Sequence, residues 1–221
     1  IAADMLRFWA GVPNVPKEID PDKPKMEIYT CFIQHLINSL REKSGRGAIV
    51  VPTGFITAKS GVKAKILEKV VNERVVYGCV SMPSNVFATT GTNVSVLFFD
   101  RSGSRDKVVL IDASKLGEEY KDGKNKRTRL RPEEIDRIVE TFAKGEPVED
   151  FCATPSYEEV KEKGYSLSAG QYFDIKIEYV DITAEQFNSS VASFKARYSA
   201  MLQESHRLEE EIMQGLDKLE M

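Results

Sequence analysis

Residues 45–100 read GRGAIVVPTGFITAKSGVKAKILEKVVNERVVYGCVSMPSNVFATTGTNVSVLFFD, and the succession of patterns in this stretch decides the fold class. Ala48 to Val51 is a short apolar run closed by Pro52, as in a strand buried on both faces. From Val62 to Val71 the apolar residues Val62, Ile66, Leu67 and Val70 recur at helical spacing, with lysines on the other side. Arg74 to Val80 is β-branched and aromatic on both faces, which predicts a second interior strand. Asn93 to Phe99 is a third, ending in Asp100. Strand, helix, strand and a closely following strand predict the C-terminal end of an open α/β sheet with an antiparallel last connection.

The chain has 221 residues, enough for one full domain plus an appendage or for two small domains. With 42% apolar and 29% charged residues it has the composition of a globular protein. No apolar run approaches the roughly 20 residues needed to cross a bilayer. Asp4 and Arg7 interrupt the apolar residues at the N-terminus, so no secretion signal is expected. Cys31, Cys79 and Cys152 are odd in number, far apart and set among apolar residues. They fit buried thiols in a reducing cytoplasm better than a disulfide framework or a metal site. A formal net charge of −3 leaves no global footprint for nucleic acid. Any DNA contact must come from local cations or from partner chains.

Around the central stretch the pattern changes repeatedly. Residues 1–28 open on Ile1, pass through Met5, Leu6, Phe8 and Trp9, and continue with Pro13, Pro16, Pro21 and Pro24. Prolines at that density disfavour regular structure, so an extended linker is expected, preceded by further chain. Glu27 to Arg41 is predicted to be helical, with Ile28, Cys31, Phe32, His35, Leu36, Ile37 and Leu40 as its apolar face. His35 is expected to be packed rather than ligating, because His206 is the only other histidine and neither HExxH nor CxxC occurs. Arg101 to Lys107 is a polar turn, and Val108 to Asp112 reads as a strand forming a hairpin with the one before it. Lys121 to Arg131, KDGKNKRTRLR, is basic enough to approach a phosphate backbone, although such runs are more often solvated loops. Pro132 opens a helix to about Lys144, with acids early, a lysine late and Gly145 as its stop. Tyr157 to Lys163 predicts one or two helical turns. The stretches 164–167 and 171–174 are expected to be extended packing anchors.

Thr183 to the end is predicted to be one long helix. Phe187, Val191, Phe194, Tyr198, Met201, Leu208, Ile212 and Leu219 fall on a heptad seam, weakened at Ser205 and Gly215. Such a stripe calls for a partner helix, with packing over the sheet as the alternative. For chemistry the residues alone offer little. Gly45-Arg46-Gly47 precedes a strand, so it is a turn and not a nucleotide loop. GxxxxGK[ST] and GxSxG are absent, and no acid pair is placed by spacing with a base.

The order GRGAIVVPTGF, VVYGCVSMPSNVFATTGTNVSVLFFD resembles the adenine-N6 DNA methyltransferases, most closely the modification subunit of type I restriction-modification systems. The likeness extends through FIQHLINSL, VVLIDASKLG, LRPEEIDRIVETF, GYSLSAGQYF and RLEEEIMQGLDKL. It implies the C-terminal portion of a Rossmann-like class I methyltransferase sheet, mixed and with an antiparallel last strand, followed by a long helix. Residues 1–28 would then be a linker, 29–180 the methyltransferase portion and 181–221 a docking helix. The resemblance further implies methyl transfer from S-adenosylmethionine to adenine N6 in DNA, in the cytoplasm of a bacterium or archaeon. The family's partners are DNA, a specificity subunit, here met by the C-terminal helix, and a restriction subunit. Its glycine-rich cofactor loop and its Asn-Pro-Pro-Phe loop do not occur in this sequence, so the cofactor would belong to the parent subunit and no catalytic residue is assigned here. One position does match. The aromatic residue that stacks on the flipped-out adenine corresponds to Phe87, in a loop shaped by Thr89-Thr90-Gly91-Thr92. Lys59, Lys63 and Lys65 follow the end of the first strand, where open α/β sheets place ligands. Lys59, Lys63 and Thr92 are candidates for DNA contact, solvated side chains being the plainer alternative. A non-catalytic assembly or DNA-binding module derived from a methyltransferase is the other reading.

Overall fold

The structure is a computed structural model that describes residues 4, 6–12, 27–87, 93–103, 105–123, 125–174 and 182–217. It divides into two units, residues 1–174 and 175–221. The strands are β1 (Arg46–Pro52), β2 (Val76–Ser81), β3 (Val94–Asp100), β4 (Val109–Asp112), β5 (Glu118–Asp122), β6 (Asn125–Arg129) and β7 (Cys152–Ala153). The helices are α1 (Tyr29–Ser39), α2 (Gly61–Asn72), α3 (Pro132–Lys144), α4 (Tyr157–Glu162) and α5 (Ala184–Asp217). Among the described residues no helix is long and apolar enough to cross a membrane.

Five strands form one mixed sheet in the order β1-β3-β2-β4-β7. β3 is antiparallel to both β1 and β2, and β4 runs parallel to β2. The expected strand–helix–strand–strand succession is therefore present, with β3 wedged between the two strands that precede it. This is the mixed sheet with an antiparallel strand that the resemblance implied. One face is covered by α1, α2 and α4, whose Ile33, Ile37, Ile66, Leu67, Val70 and Tyr157 meet Leu97 and Phe99 in the main core. Full burial of an aliphatic side chain such as Ile66 or Leu67 stabilises by about 1.5–3 kcal/mol. On the other face α3 lays Phe142 over Gly78. A Cβ at residue 78 would stand 2.3 Å from the Phe142 ring. Close backbone approach is thus why the middle strand carries a glycine.

Several expectations are corrected. β1 is not buried on both faces: it is the first strand of the sheet, and Arg46, Ala48 and Val50 form an exposed row. β4 is not the hairpin partner of β3, because both edges of β3 are already taken by β1 and β2, leaving β4 the open edge of β2. The basic run is no loop but a separate two-stranded hairpin of β5 and β6. The buried side of α1 is rotated from the predicted one. It buries Thr30, Cys31, Ile33, Gln34 and Ile37 and leaves Phe32 57% exposed and His35 at the surface.

Gln34 explains the rotation. Its amide oxygen accepts from the Ala10 N–H at 2.8 Å, and its Nε2 donates to the Gly11 carbonyl at 3.0 Å. Residues 6–12 are thereby bound to α1, with Phe8 and Ala10 buried. The rest of the expected linker, 13–26 with its four prolines, lies outside the described residues. α3 has the predicted ends: Glu134 accepts from the Arg131 N–H at 2.8 Å, and Gly145 closes the helix at φ 64°. Leu167 and Ala169 pack as anchors, but residues 169–171 form a 3-10 turn where extended chain was expected at Gln171. All three cysteines are buried free thiols, and burial pushes Cys79 up to about 12 and Cys152 to about 11.

Candidate functional site

Because β1, β2 and β4 are mutually parallel, their carboxyl ends at Pro52, Ser81 and Asp112 share one edge of the sheet, where β3 begins. Open α/β sheets place ligands at that edge. Backbone bonds lock the connections there. The Thr53 N–H donates to Asn93 O at 2.9 Å, Met82 N–H to Val94 O at 2.9 Å, and Ala113 N–H to Ser81 O at 2.9 Å. Beneath them lies a hydroxyl group cluster. Ser95 is fully buried and shares hydrogen bonds with Thr53 Oγ1 at 3.1 Å and Ser81 Oγ at 3.4 Å. The cluster ties β1, β3 and β2 together just below the rim. Nothing in the sequence announces it, since the three residues meet only through strand register.

The loop leaving β2 starts on the buried Pro83 and turns at Asn85, whose φ is 57°. Asparagine tolerates that left-handed conformation better than most residues. The Asn85 carbonyl accepts from the Thr128 N–H of β6 at 3.1 Å. Phe87 follows, and its side chain is 44% exposed, whereas Leu97 and Phe99 in the neighbouring strand are buried. It is thus a loop aromatic with an accessible ring at the ligand edge rather than a core residue. Such a ring can stack on a base removed from its helix.

Of the two lysines expected near DNA, Lys59 lies between β1 and α2 and Lys63 lies in the first turn of α2. Lys63 Nζ pairs with Glu27 Oε1 at 2.7 Å, and that hydrogen bond raises its pKa above the ordinary lysine value. Lys59 is exposed in a cleft shared with Glu162, Lys163 and Tyr165. Thr92, with Thr89, Thr90 and Gly91, lies outside the described residues. The element bonded to the Phe87 loop is instead the β5–β6 hairpin. Its other end is held by Glu134, which accepts from the Gly117 N–H at 3.1 Å. The backbone donors of Arg131 and Gly117 hold the Glu134 carboxyl below the usual range. At the opposite edge Asp100 is buried and anchors structure only. Burial would raise its pKa, but hydrogen bonds from Ser102 and the charges of Arg46 and Arg105 outweigh that and lower it.

The N-6 DNA Methylase family matches residues 15–179. This chain belongs to that family. The type I restriction enzyme MpnII methylase subunit of Mycoplasma pneumoniae is 26% identical over 76% of this chain and 30% of its own length. The type I restriction enzyme MjaIX methylase subunit of Methanocaldococcus jannaschii is 26% identical over 91% of this chain and 39% of its own. Among solved structures, the type I restriction-modification methyltransferase subunit of Streptococcus thermophilus superposes with a TM-score of 0.60. It is 26% identical and covers 69% of this chain and 32% of that one. The chain thus spans between a quarter and half the length of these relatives.

N-6 DNA methylases take their methyl group from S-adenosylmethionine, which requires a glycine-rich strand-turn-helix and polar groups to hold it. The described residues do not fit that requirement. The turn after β1 is the 3-10 segment Thr53–Phe55, which carries a single glycine, and Phe55 and Ile56 beside it are buried in the core. Among the described residues no strand runs through a glycine-rich turn into a helix.

Proposed function

We propose that this chain is the C-terminal part of a type I modification subunit, and that the whole subunit methylates adenine N6 in a specific DNA sequence. The observation that carries this reading is the family match across residues 15–179, joined to relatives that are methylase subunits of type I restriction enzymes. S-adenosylmethionine supplies the methyl group, and the segments that hold it belong to the parent subunit outside these residues. Phe87 has the role of stacking on the extruded adenine, worth about 1–3 kcal/mol. Its exposure at the carboxyl edge supports that role.

Residues 181–221 form the docking element for the specificity subunit, and a restriction subunit joins the same assembly in the cytoplasm of a bacterium or archaeon. α5 supports this assignment. Its 34 residues extend about 51 Å and bury none of their own side chains, while Phe187, Phe194, Tyr198, Met201 and Ile212 stand exposed. A stripe of that length is satisfied by another helix.

The test uses the full-length subunit assembled with its specificity partner. Phe87→Ala is expected to slow methylation by about 5- to 150-fold, the equivalent of the lost stacking energy. Phe87→Trp is expected to retain most of the rate. An unchanged rate in Phe87→Ala removes the stacking role. A complete wild-type complex that methylates no adenine-containing duplex overturns the methylase reading and leaves the non-catalytic assembly module, which the missing glycine loop would then favour.

A further inference from the structure

We propose that the β5–β6 hairpin is an arm that grips the DNA phosphate backbone beside the Phe87 loop, with Lys121 and Lys126 as the contacting pair. The inference rests on the methylase reading and adds a binding element to it.

The first observation is a charge arrangement that folding alone disfavours. The register pairs Lys121 directly with Lys126, next to the closing pair Asp122–Asn125. In a two-residue turn the closing pair is hydrogen bonded, so the lysine pair is the narrow, non-hydrogen-bonded kind, with side chains close together. The Thr128 N–H pointing away to Asn85 agrees with that alternation. Like charges directly opposite one another on a ribbon are destabilising. Both lysines are exposed, and among the described residues neither has an ion-pair partner. Glu119 lies one pair away on the same face without bonding to either among the described residues.

The other face of the ribbon is different. There Arg127 pairs with Asp122 at 3.4 Å, and the Arg129 guanidinium lies 5.8 Å from the centre of the Tyr120 ring. One face is neutralised internally while the other keeps an open pair of cations. In a chain of net charge −3 that local concentration is what a polyanion requires.

The second observation is mechanical. An isolated two-stranded hairpin is marginal in water, yet this one is fastened at both feet. Gly117 is held by Glu134, and Thr128 is buried and bonded to Asn85. The Thr128 methyl sits where a Cβ at residue 117 would come within 2.6 Å, and Gly117 has φ 89°, so the glycine is required there. Lys126 is two residues from Thr128, about 7 Å along the strand. A base stacked on Phe87 has its own phosphates within about one nucleotide of that ring, and the hairpin bonded to the Phe87 loop through Thr128 and Asn85 carries the cation pair toward that backbone. Phosphate contacts of this kind set position rather than sequence.

The experiment is a salt titration of DNA affinity with the complete methylase complex and its cognate duplex, comparing wild type with Lys121→Gln/Lys126→Gln. Two lost phosphate contacts are expected to reduce the slope of log K against log salt by about 1.8. Between 50 and 200 mM salt, wild type would then lose about tenfold more affinity than the variant. The melting temperature should stay level or rise, because the opposed charges are gone. Lys161→Gln, which alters the exposed pair with Glu158 on α4, should leave the slope unchanged. If wild type binds DNA and the double variant keeps its slope, the arm is overturned. Weakened assembly with other subunits at an unchanged slope overturns it too, by assigning the lysines to a protein partner. Failure of wild type to bind DNA strikes instead at the methylase reading beneath it.

Discussion

α2 and α5 are both amphipathic helices, and they use their apolar stripes in opposite ways. α2 sinks Ile66, Leu67, Val70 and Val71 against the sheet, and all four are buried. α5 carries a longer stripe and leaves Phe187, Phe194, Tyr198, Met201 and Ile212 exposed. The first helix is part of a core, and the second leaves its stripe uncovered among the described residues. Periodicity is the same signal in both, so a stripe shows that something must cover it without saying what.

The ion pairs repeat the contrast. Asp100 is buried against Arg46 at 3.1 Å and Arg105 at 3.7 Å. On α5 Arg207 bonds Glu204 at 2.7 Å and also meets Glu211, with every partner at the surface. Exposed pairs of the second kind contribute little to stability, and salt screens them.

The strongest way to break the comparison is Leu67→Ala. Removing that side chain from a fully closed site is expected to cost about 2–5 kcal/mol, read as a fall in the unfolding midpoint of the complete subunit. A loss below 1 kcal/mol would mean α2 is no more essential to packing than α5. An intermediate effect is expected from pH. The folded-state pKa of Asp100 is depressed, so its stabilisation is complete above the ordinary carboxylate range and is lost as pH falls through the lower folded value. Melting temperature should therefore decline more steeply below about pH 4 in wild type than in Asp100→Asn, which starts lower at neutral pH. Parallel curves would remove Asp100 from that role. The smallest effect on folding is expected from Phe194→Ser with Met201→Ser. Both side chains are exposed, so stability should change by no more than about 0.5 kcal/mol each. Binding to the specificity subunit should nevertheless weaken sharply in a pull-down or by mass photometry. Unweakened assembly would take away the docking role of α5.

Legibility followed the range of the forces involved. The ends of α3 were readable because Pro132 and Gly145 act on their own backbone, and the observed Pro132–Lys144 matches the expected span. β2 and β3 were readable from β-branched and aromatic runs. The partner of β4 was not, because adjacency in sequence favours β3 and only the occupied edges of β3 forbid it. β5 and β6 were missed because EEYKD and NKRTR carry almost no apolar alternation, so anchorage at Gly117 and Thr128 stands in for intrinsic propensity. Gln34 lay outside the predicted apolar face of α1, and only the structure shows that it organises the N-terminal segment.

At the site, the position of Phe87 between β2 and β3 was legible, and its exposure at the rim was not. Lys63 was a candidate for DNA contact in the sequence, and its pairing with Glu27 from a distant segment was not legible there.

What the sequence determined by itself is the set of elements in and around the central stretch, their order, and the existence of a long apolar stripe at the C-terminal end. These follow from periodicity, turn residues and caps, which act over a few residues. What the tertiary structure alone decided is which strand takes which edge, which stripes are covered, and that Asn85 and Thr128 join the basic hairpin to the loop that carries Phe87. Those outcomes depend on which edges and donors remain unsatisfied once neighbouring elements are in place, and no local pattern encodes that.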